Sequence, residues 1–321
     1  MPKVLFADND FPDFELERNL FTDAGLELAS AQCKSEDDVI AAARDCVAIL
    51  LQYAPITERV VSSLPRLGIV SRIGAGIDTV DTEACVRHGV WVANSPDYGV
   101  GEVATHALAL TLGLARNVVA YHRDIQNGRW HFLSSGSLRR VGDMTLGIVG
   151  LGRIGKRMAY VSRNVFSRVL ACDPYLIDGD FPAYVARRDL AGLFADSDVV
   201  SLHVPLNAET RAMIGSKVLA SAKPGAYLVN TARGAVVEVD AALAALESGR
   251  LAGLALDVLP TEPVPANSRL LGHPRVILTP HAAFYSVEAE QELRRKAAQN
   301  VITWFATGRP TYVVTPGTRK A

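Results

Sequence analysis

The sequence has few of the features that mark disulfide-rich, nucleic-acid-binding or membrane-spanning proteins. Its four cysteines form no CxxC pair or ligand-like cluster, which fits reduced thiols and indicates no metal site. Lysine plus arginine (33) nearly equal aspartate plus glutamate (34), and no long run of one sign occurs, so neither nucleic acid nor an anionic membrane is an expected partner. No apolar run is long enough to span a bilayer.

The features that are present are typical of a folded protein with more than one domain. Hydrophobic residues make up 49% and charged residues 21% of the 321 positions, and this length favours about two domains. The chain begins with a strand-like segment, "MPKVLFADND", rather than an export signal, so we expect a cytoplasmic protein.

Short apolar runs alternate with helical patterns along most of the chain. A first series of strand-like runs includes "KVLFAD", "CVAILL" and "LGIVSRI", and a second series extends from "TLGIVG" to "RVILTPH". Residues 101–129, between the two series, predict one long and mostly apolar helix, and residues 286–308 predict a final helix. This order predicts an α/β fold with two doubly wound parallel sheets.

A glycine pattern follows the first strand of the second series and indicates a dinucleotide site. The GxGxxG glycines are Gly150, Gly152 and Gly155. Such glycines allow a tight turn, close approach of a pyrophosphate, and close contact between helix and strand. The next strand ends at Asp173, whose carboxylate would bind an adenine ribose, although it could instead cap the next turn. Because proline and tyrosine follow Asp173, and no cation, the expected cofactor is NAD rather than NADP.

Polar residues follow four further strands of the second series. Because the carboxyl ends of parallel strands share one edge of a sheet, we expect these residues to lie near the glycine loop. They are His203 after "DVVSL", Asn230, Thr231 and Arg233 after "AYLV", Asp257 and Glu262 after "LAGLAL", and His281 after "RVIL".

Three of these residues suit hydride transfer to a 2-oxo acid. Arg233 can hold the carboxylate and polarise the carbonyl, because its planar guanidinium matches two oxygens. His281 can deliver a proton to the carbonyl oxygen, and Glu262 can orient the ring. Each residue has a structural alternative: Arg233 as a surface cation, Glu262 as the start of a turn, and His281 as a half-buried histidine in an ordinary loop.

Several motifs occur in a defined order: "GLGRIG", Asp173, "NTARG", "DVLPTEP" and "TPH". In this order they resemble the D-isomer-specific 2-hydroxyacid dehydrogenases over nearly the whole chain. The resemblance implies a Rossmann NAD domain (99–285) inserted into a flavodoxin-like substrate domain (1–98, with a C-terminal helix and tail at 286–321), and a homodimer formed through the NAD domains. "HAAFYS" and "DPYL" are similar to the branch of the C-terminal-binding proteins, which are animal corepressors, although Phe284 stands where that branch has tryptophan.

The resemblance also implies functional residues. Arg233, Glu262 and His281 match the family's arginine, glutamate and histidine, and Ala75 and Gly76 of "IGAG" match the loop that receives the substrate carboxylate. Cofactor contacts are expected, in addition to the glycines and Asp173, at Thr105, Arg153, Ile154, His203, Thr231, Ala232, Arg233, Asp257 and His281.

The sequence leaves the substrate open. The loop "LLQYAPIT" supplies Gln52 and Tyr53 but no cation for a phosphate, so an unphosphorylated 2-oxo acid is favoured over 3-phosphoglycerate. Phe284 could form an aromatic wall beside the substrate or could pack in the core. The alternative to an enzyme is an NAD-responsive, corepressor-like binding protein. The apolar stretch "ALALTLGLA" is expected to be buried in a two-fold dimer.

Overall fold

The computed structural model describes residues 1–319, which divide into two compact units. Unit 1 comprises Met1–Tyr98 and the chain from Ser286 onward, and unit 2 comprises Gly99–Tyr285. Each unit is a mainly parallel sheet with helices packed on it, which confirms the expected α/β class. Elements are numbered along the chain.

Unit 1 contains a six-stranded sheet. Its strands are β1 (Lys3–Phe6), β2 (Glu27–Ser30), β3 (Cys46–Leu51), β4 (Ile69–Arg72), β5 (Trp91–Ala93) and β13 (Val313–Thr315). The order is β2-β1-β3-β4-β5-β13, and all neighbours are parallel except β13, which pairs antiparallel with β5. The order reverses between β1 and β3, as in flavodoxin-like sheets.

The helices of unit 1 include the predicted final helix. They are α1 (Glu15–Asp23), α2 (Glu36–Ala43), α3 (Glu58–Ser63), α4 (Thr82–Arg87) and α11 (Val287–Thr307). Ser286 caps the start of helix α11, where its hydroxyl accepts a hydrogen bond from Ala289 N (3.0 Å), and Gly308, which has a left-handed φ of 81°, caps its end. Trp304 of α11 is fully buried against Gly68, where a Cβ atom would overlap the indole ring.

Unit 2 contains a seven-stranded parallel sheet. Its strands are β6 (Thr145–Val149), β7 (Arg168–Cys172), β8 (Val185–Arg187), β9 (Val199–Leu202), β10 (Ala226–Asn230), β11 (Leu251–Leu256) and β12 (Val276–Leu278). The order is β12-β11-β10-β9-β6-β7-β8, with all pairs parallel. The order reverses between β6 and β9, and sheets of this kind bind ligands at the carboxyl ends of the strands beside such a reversal. Strand β8 is absent from the sequence expectations, because three residues are too few to show a period.

Unit 2 has six helices. They are α5 (Val100–Ala115), α6 (Val118–Gln126), α7 (Arg153–Ser162), α8 (Leu190–Asp196), α9 (Ser216–Ala220) and α10 (Val239–Glu247). Of these, α5, α7, α8 and α10 pack on the sheet, α6 packs on α5, and α9 packs on α8 and α10. No single helix within residues 1–319 combines the length and apolar content needed to cross a membrane. Helices α5 and α6 together reach that length and apolar content, but they form a bent pair, and the match concerns length and composition only.

The expectation of one helix over residues 101–129 is wrong. Helices α5 and α6 are separate and differ in direction by 58°. The break lies at Asn117, which has a left-handed φ of 51° and donates a side-chain hydrogen bond to Ser135 O (2.8 Å). A residue in this conformation cannot continue a right-handed helix. The apolar stretch of α5 is also buried within unit 2 itself, through Ala107, Leu110 and Leu114, so a second subunit is not needed to cover it.

A buried ion pair joins α11 to α1 in unit 1. Arg294 Nε and Nη2 donate to the two carboxylate oxygens of Glu17, each at 2.8 Å, and the side chains are 6% and 0% exposed. Removing one partner of such a pair leaves a charge in an apolar interior, which is far more costly than breaking a pair at the surface.

Arg294→Met should therefore destabilise unit 1 by about 3–5 kcal/mol. Urea denaturation followed by tryptophan fluorescence measures the loss, because Trp91 and Trp304 belong to unit 1 and the third tryptophan, Trp130 of unit 2, is already 87% exposed. Arg59→Met is the control, because Arg59 makes its ion pairs at the surface, and it should cost less than about 1 kcal/mol. Equal denaturation midpoints for Arg294→Met and the wild type would contradict the prediction.

Candidate active site

The polar residues predicted at strand ends do lie along one edge of the unit 2 sheet. The glycine loop follows β6, Asp173 follows β7, and His203 follows β9. Arg233 lies just beyond β10, and Asp257 and His281 lie just beyond β11 and β12. Since all seven strands are parallel, these loops share the carboxyl edge of the sheet.

The glycine loop has two glycines that pack against backbone and one that faces open space. A Cβ atom on Gly150 would lie 2.8 Å from His203 O, and one on Gly155 would overlap the carbonyl of Gly150. A Cβ atom on Gly152 would meet no atom within 4 Å. Helix α7 starts after Gly152 with no side-chain cap, so its first N–H groups face this space. The loop therefore fits a pyrophosphate.

Asp173 makes the turn contact that the sequence left as an alternative, and it also holds the glycine loop. Its Oδ1 accepts from Tyr175 N (3.0 Å), and its Oδ2 accepts from Leu151 N (2.9 Å). Each carboxylate oxygen can accept a second hydrogen bond. Both oxygens of Asp173 therefore keep acceptor capacity for ribose hydroxyl groups, and ribose binding by Asp173 stays a prediction.

Two buried polar atoms at this edge have no hydrogen-bond partner among the described residues: His203 Nδ1 and Thr231 Oγ1. His203 Nε2 lies 2.9 Å from Ser201 Oγ, and burial lowers the pKa of His203 to about 4, so the ring is neutral at pH 7. Buried polar atoms in native proteins usually have a partner. The two atoms fit a site whose bound ligand provides hydrogen-bonding groups.

His281 and Glu262 form a hydrogen-bonded pair. His281 Nδ1 lies 2.8 Å from Glu262 Oε2, and the side chains are 31% and 36% exposed. Burial by itself would raise the pKa of the Glu262 carboxyl, but hydrogen bonds from His281 and Leu259 N and the nearby charge of Arg233 lower it below its ordinary value of 4.5. Glu262 is therefore ionised at neutral pH, and its charge favours a proton on His281 Nδ1.

Arg233 is held beside the Glu262 loop by backbone packing. Asn230, which is fully buried, donates to Arg233 O (2.9 Å) and accepts from Ala232 N (3.0 Å). A Cβ atom on Gly234 would overlap the backbone of Leu259, so only glycine lets the two loops approach this closely. Arg233 Nη1 donates to Ala232 O (2.7 Å).

Asp257 has a different environment from the one expected of a cofactor contact. Its side chain is 1% exposed, and its oxygens accept from Thr279 Oγ1 (2.6 Å), Ala282 N (2.9 Å) and Ala283 N (3.0 Å). Asp257 therefore anchors the loop that carries His281. A cofactor contact by Asp257 stays a prediction.

The other expected cofactor residues lie at helix starts or in the "NTARG" loop. Thr105 Oγ1 donates to Gly101 O (2.8 Å) within the first turns of α5, Arg153 and Ile154 open α7, and Ala232 is buried. Their contacts with a cofactor stay predictions.

Phe284 is half-buried, and its ring meets the His281 ring edge-on with centroids 6.5 Å apart. This position beside the His281–Glu262 pair agrees with an aromatic wall, and its partial burial agrees with packing, so the aromatic wall stays a prediction. Within residues 1–319, no group of three or more His, Cys, Asp or Glu side chains is placed to hold a metal ion.

The expected substrate-binding residues of unit 1 lie at the carboxyl edge of its own sheet. Gln52 and Tyr53 follow β3, and their backbone N–H groups donate to the buried Asp8 carboxylate at 3.0 and 2.5 Å. Ala75 and Gly76 follow β4, and Asn94 Nδ2 donates to Ala75 O (2.6 Å).

Two charged residues at this edge are missing from the sequence expectations. Asp8 ends the "FAD" segment after β1, and burial raises its pKa, although backbone hydrogen bonds and the positive charge of Arg72 oppose the rise. Arg72 is the last residue of β4, and its guanidinium covers Gly74. The same strand-end rule that selected His203 and His281 could have found both residues, had it been applied to unit 1.

Known proteins resemble this chain in sequence and in structure. The family model "D-isomer specific 2-hydroxyacid dehydrogenase, NAD binding domain" matches residues 108–283, more than half of the chain. The chain is 36% identical over 276 residues to a glyoxylate reductase of Korarchaeum cryptofilum, covering 84% of this chain and 83% of that protein. The chain belongs to the D-isomer-specific 2-hydroxyacid dehydrogenase family.

Other members of this family are similar over different shares of their length. A D-3-phosphoglycerate dehydrogenase of Synechocystis is 33% identical over 272 residues, which are 83% of this chain but 48% of that protein. The chain thus spans about half the length of the phosphoglycerate dehydrogenases it matches. A D-lactate dehydrogenase from Aquifex aeolicus, solved with NAD and lactic acid, has a TM-score of 0.85 and 28% identity, with 95% and 96% of the two chains covered. These relatives carry enzyme names, and the likeness to the corepressor branch stays a prediction.

The different surroundings of Gly152 and Gly155 give a prediction for this site. Gly152→Ala should leave the melting temperature unchanged but should weaken NADH binding about tenfold, the cost of one or two hydrogen bonds to phosphate. Gly155→Ala should instead lower the melting temperature, because its Cβ overlaps backbone. Thermal denaturation and fluorescence titration with NADH measure the two effects. An unchanged Kd for NADH in Gly152→Ala would show that no phosphate lies over this loop.

Proposed function

We propose that this protein is an NAD-dependent D-2-hydroxyacid dehydrogenase that works as a reductase of small, unphosphorylated 2-oxo acids. The observation that supports this most strongly is the His281–Glu262 hydrogen bond of 2.8 Å, at the edge that also carries the glycine loop and Arg233. A proton donor, a cation for a carboxylate and a dinucleotide loop are what hydride transfer to a 2-oxo acid requires.

The proposed mechanism assigns one task to each side chain. Bound NADH supplies the hydride. Glu262 keeps a proton on His281 Nδ1, which leaves Nε2 to give its proton to the carbonyl oxygen of the substrate. Arg233 holds the substrate carboxylate through its planar guanidinium and polarises the carbonyl. In the reverse direction, the unprotonated Nε2 accepts the proton of the hydroxyl group.

The proposed cofactor is NAD rather than NADP. Asp173 would accept hydrogen bonds from the ribose and would repel a 2′-phosphate. The next residues add no cation, and the hydroxyl of Tyr175 bonds to Glu209, which brings a second carboxylate close to this strand end. The local charge therefore disfavours a phosphorylated ribose.

The proposed substrates are unphosphorylated acids, from glyoxylate and hydroxypyruvate to those with an apolar tail. We propose that unit 1 receives them through Gln52, Tyr53, Ala75 and Gly76. Arg72 adds a positive charge at this edge of unit 1, but the Asp8 carboxylate opposes that charge. A phosphate would add a charge of about −1.5 to −2, which the pair would not balance. 3-Phosphoglycerate is accordingly the less favoured alternative.

We also propose that the protein is a homodimer formed through unit 2. The surface for a second copy is the segment after α6, where Trp130, Phe132 and Leu133 are 87%, 75% and 52% exposed. Two side chains of α6 extend it, Val118 and Ile125, which are 58% and 47% exposed. Exposed apolar side chains clustered in this way are typical of protein–protein interfaces. The second copy is the occupant that the family resemblance implies.

The dimer proposal predicts a change of mass in solution. The wild type should scatter light as a particle of twice 34.5 kDa at micromolar concentration, and the double variant Trp130→Ser/Phe132→Ser should scatter as a monomer. Leu271→Ser, which alters another exposed apolar residue of unit 2, should remain dimeric. A monomeric wild type would contradict the proposal.

The proton-donor role of His281 predicts a large and specific loss of turnover. His281→Ala should lower kcat by roughly 10²–10⁴-fold, the usual worth of general acid catalysis, and leave the Kd for NADH nearly unchanged. Steady-state assays with NADH and glyoxylate, together with NADH titration, measure both. His273→Ala, a change to another histidine of unit 2, is the control and should keep full activity. Turnover of His281→Ala within a few-fold of wild type would end the assignment.

A further inference from the structure

One histidine near the His281 loop has no role in the mechanism described above. His106 lies on α5, with its side chain 26% exposed, and its Nε2 is 3.1 Å from Thr279 Oγ1. Thr279 Oγ1 in turn is 2.6 Å from Asp257 Oδ1. The same His106 nitrogen lies 3.6 Å from Asp257 Oδ1, beyond hydrogen-bond length. The three side chains therefore form a chain that runs from the helix to a buried carboxylate.

The protons in this chain can have one arrangement only. The Asp257 side chain accepts from Ala282 N and Ala283 N, and as an acceptor it requires the single hydroxyl proton of Thr279 to point to it. Thr279 Oγ1 must then accept from His106, which requires the proton of the His106 ring to be on Nε2. The chain is thus directional, with His106 donating to Thr279 and Thr279 donating to Asp257.

The carboxylate at the end of this chain fixes the backbone that directly follows His281, and the main-chain oxygen of the same residue holds His281 itself. Asp257 accepts from Ala282 N and Ala283 N, and His281 N donates to Asp257 O (2.8 Å). His281 has a left-handed φ of 54°. A residue with a side chain is unfavourable in that conformation by about 1–2 kcal/mol, so neighbouring contacts must hold it there.

We propose that His106 is a positioning residue, which acts through Thr279 and Asp257 to hold the His281 loop in the conformation that aligns His281 with Glu262. This inference rests on the proposed function in one respect: the effect on turnover requires that His281 is the proton donor. The positioning itself concerns the loop and can be measured without any substrate. His106 acts through the hydrogen bond that its Nε2–H donates to Thr279, and not through the volume of its ring.

The activity test compares variants that keep or lose each hydrogen bond. His106→Leu and Thr279→Val remove a link, and kcat should fall roughly 10–100-fold, the effect of misplacing a catalytic group by about 1 Å, with the Kd for NADH within about 2-fold of wild type. His106→Gln and Thr279→Ser keep a donor at the same place and should retain most of the activity. The double variant His106→Leu/Thr279→Val should be no worse than the more impaired single variant, because both residues act through one chain.

The structural test uses hydrogen exchange and nitrogen chemical shifts. The amides of Ala282 and Ala283 should exchange about 3- to 10-fold faster in His106→Leu and Thr279→Val, the factor expected for one lost hydrogen bond. Long-range ¹H–¹⁵N spectra at pH 8.5, above the ordinary pKa range of histidine, should show His106 with its proton on Nε2. His88→Leu is the control: His88 is also half-buried and bonded to a carboxylate, Glu58, but it belongs to unit 1.

The outcomes separate this inference from the proposed function. A wild type that reduces no 2-oxo acid would overturn the proposed function, while the exchange and spectral data would still decide the positioning. Unchanged exchange at Ala282 and Ala283, or a proton on His106 Nδ1, would overturn the positioning. Equal losses of activity in His106→Gln and His106→Leu would also overturn it, because the donated hydrogen bond would then not be the cause.

Discussion

The loops at the carboxyl edge of the unit 2 sheet contact one another through backbone, and the site depends on that close approach. Gly150 lies against the carbonyl of His203, Gly155 lies against the carbonyl of Gly150, and Gly234 lies against the backbone of Leu259. A side chain at Gly150 or Gly234 would push two loops apart, and one at Gly155 would push helix α7 away from the glycine loop. Two buried polar side chains complete the arrangement, because Asn230 ties the Arg233 loop and Asp257 ties the His281 loop.

This arrangement explains how residues far apart in the chain act as one group. Glu262 and His281 are separated by 19 positions but meet at 2.8 Å, because their strands are neighbours in the sheet. Arg233 comes from the next strand along, and its charge reaches Glu262. The neighbouring hydrogen bonds and the charge of Arg233 keep Glu262 ionised. The carboxylate can therefore orient the His281 ring and keep a proton on its Nδ1.

Much of this could be predicted from the sequence, because strand ends in a parallel sheet share an edge. The rule identified Arg233, Glu262 and His281, and the run "CVAILL" matches β3 residue for residue. The break at Asn117 could not be predicted, since it depends on one left-handed residue inside an apolar pattern. The burial of α5 could not be assigned either. An apolar helix has the same sequence pattern whether it packs against its own unit, as α5 does, or against a second subunit. His106 was missed because its partner Thr279 is 173 positions away.

The most direct test of the central claim is a reductase assay of the wild type across a panel of 2-oxo acids, with NADH and with NADPH. The panel comprises glyoxylate, hydroxypyruvate, 2-oxoisocaproate and 3-phosphohydroxypyruvate. We expect NADH to be oxidised faster than NADPH, with higher kcat/KM for at least one unphosphorylated acid than for the phosphorylated one. Failure to oxidise NADH with any acid, or kcat/KM for 3-phosphohydroxypyruvate well above all the others, would contradict the account.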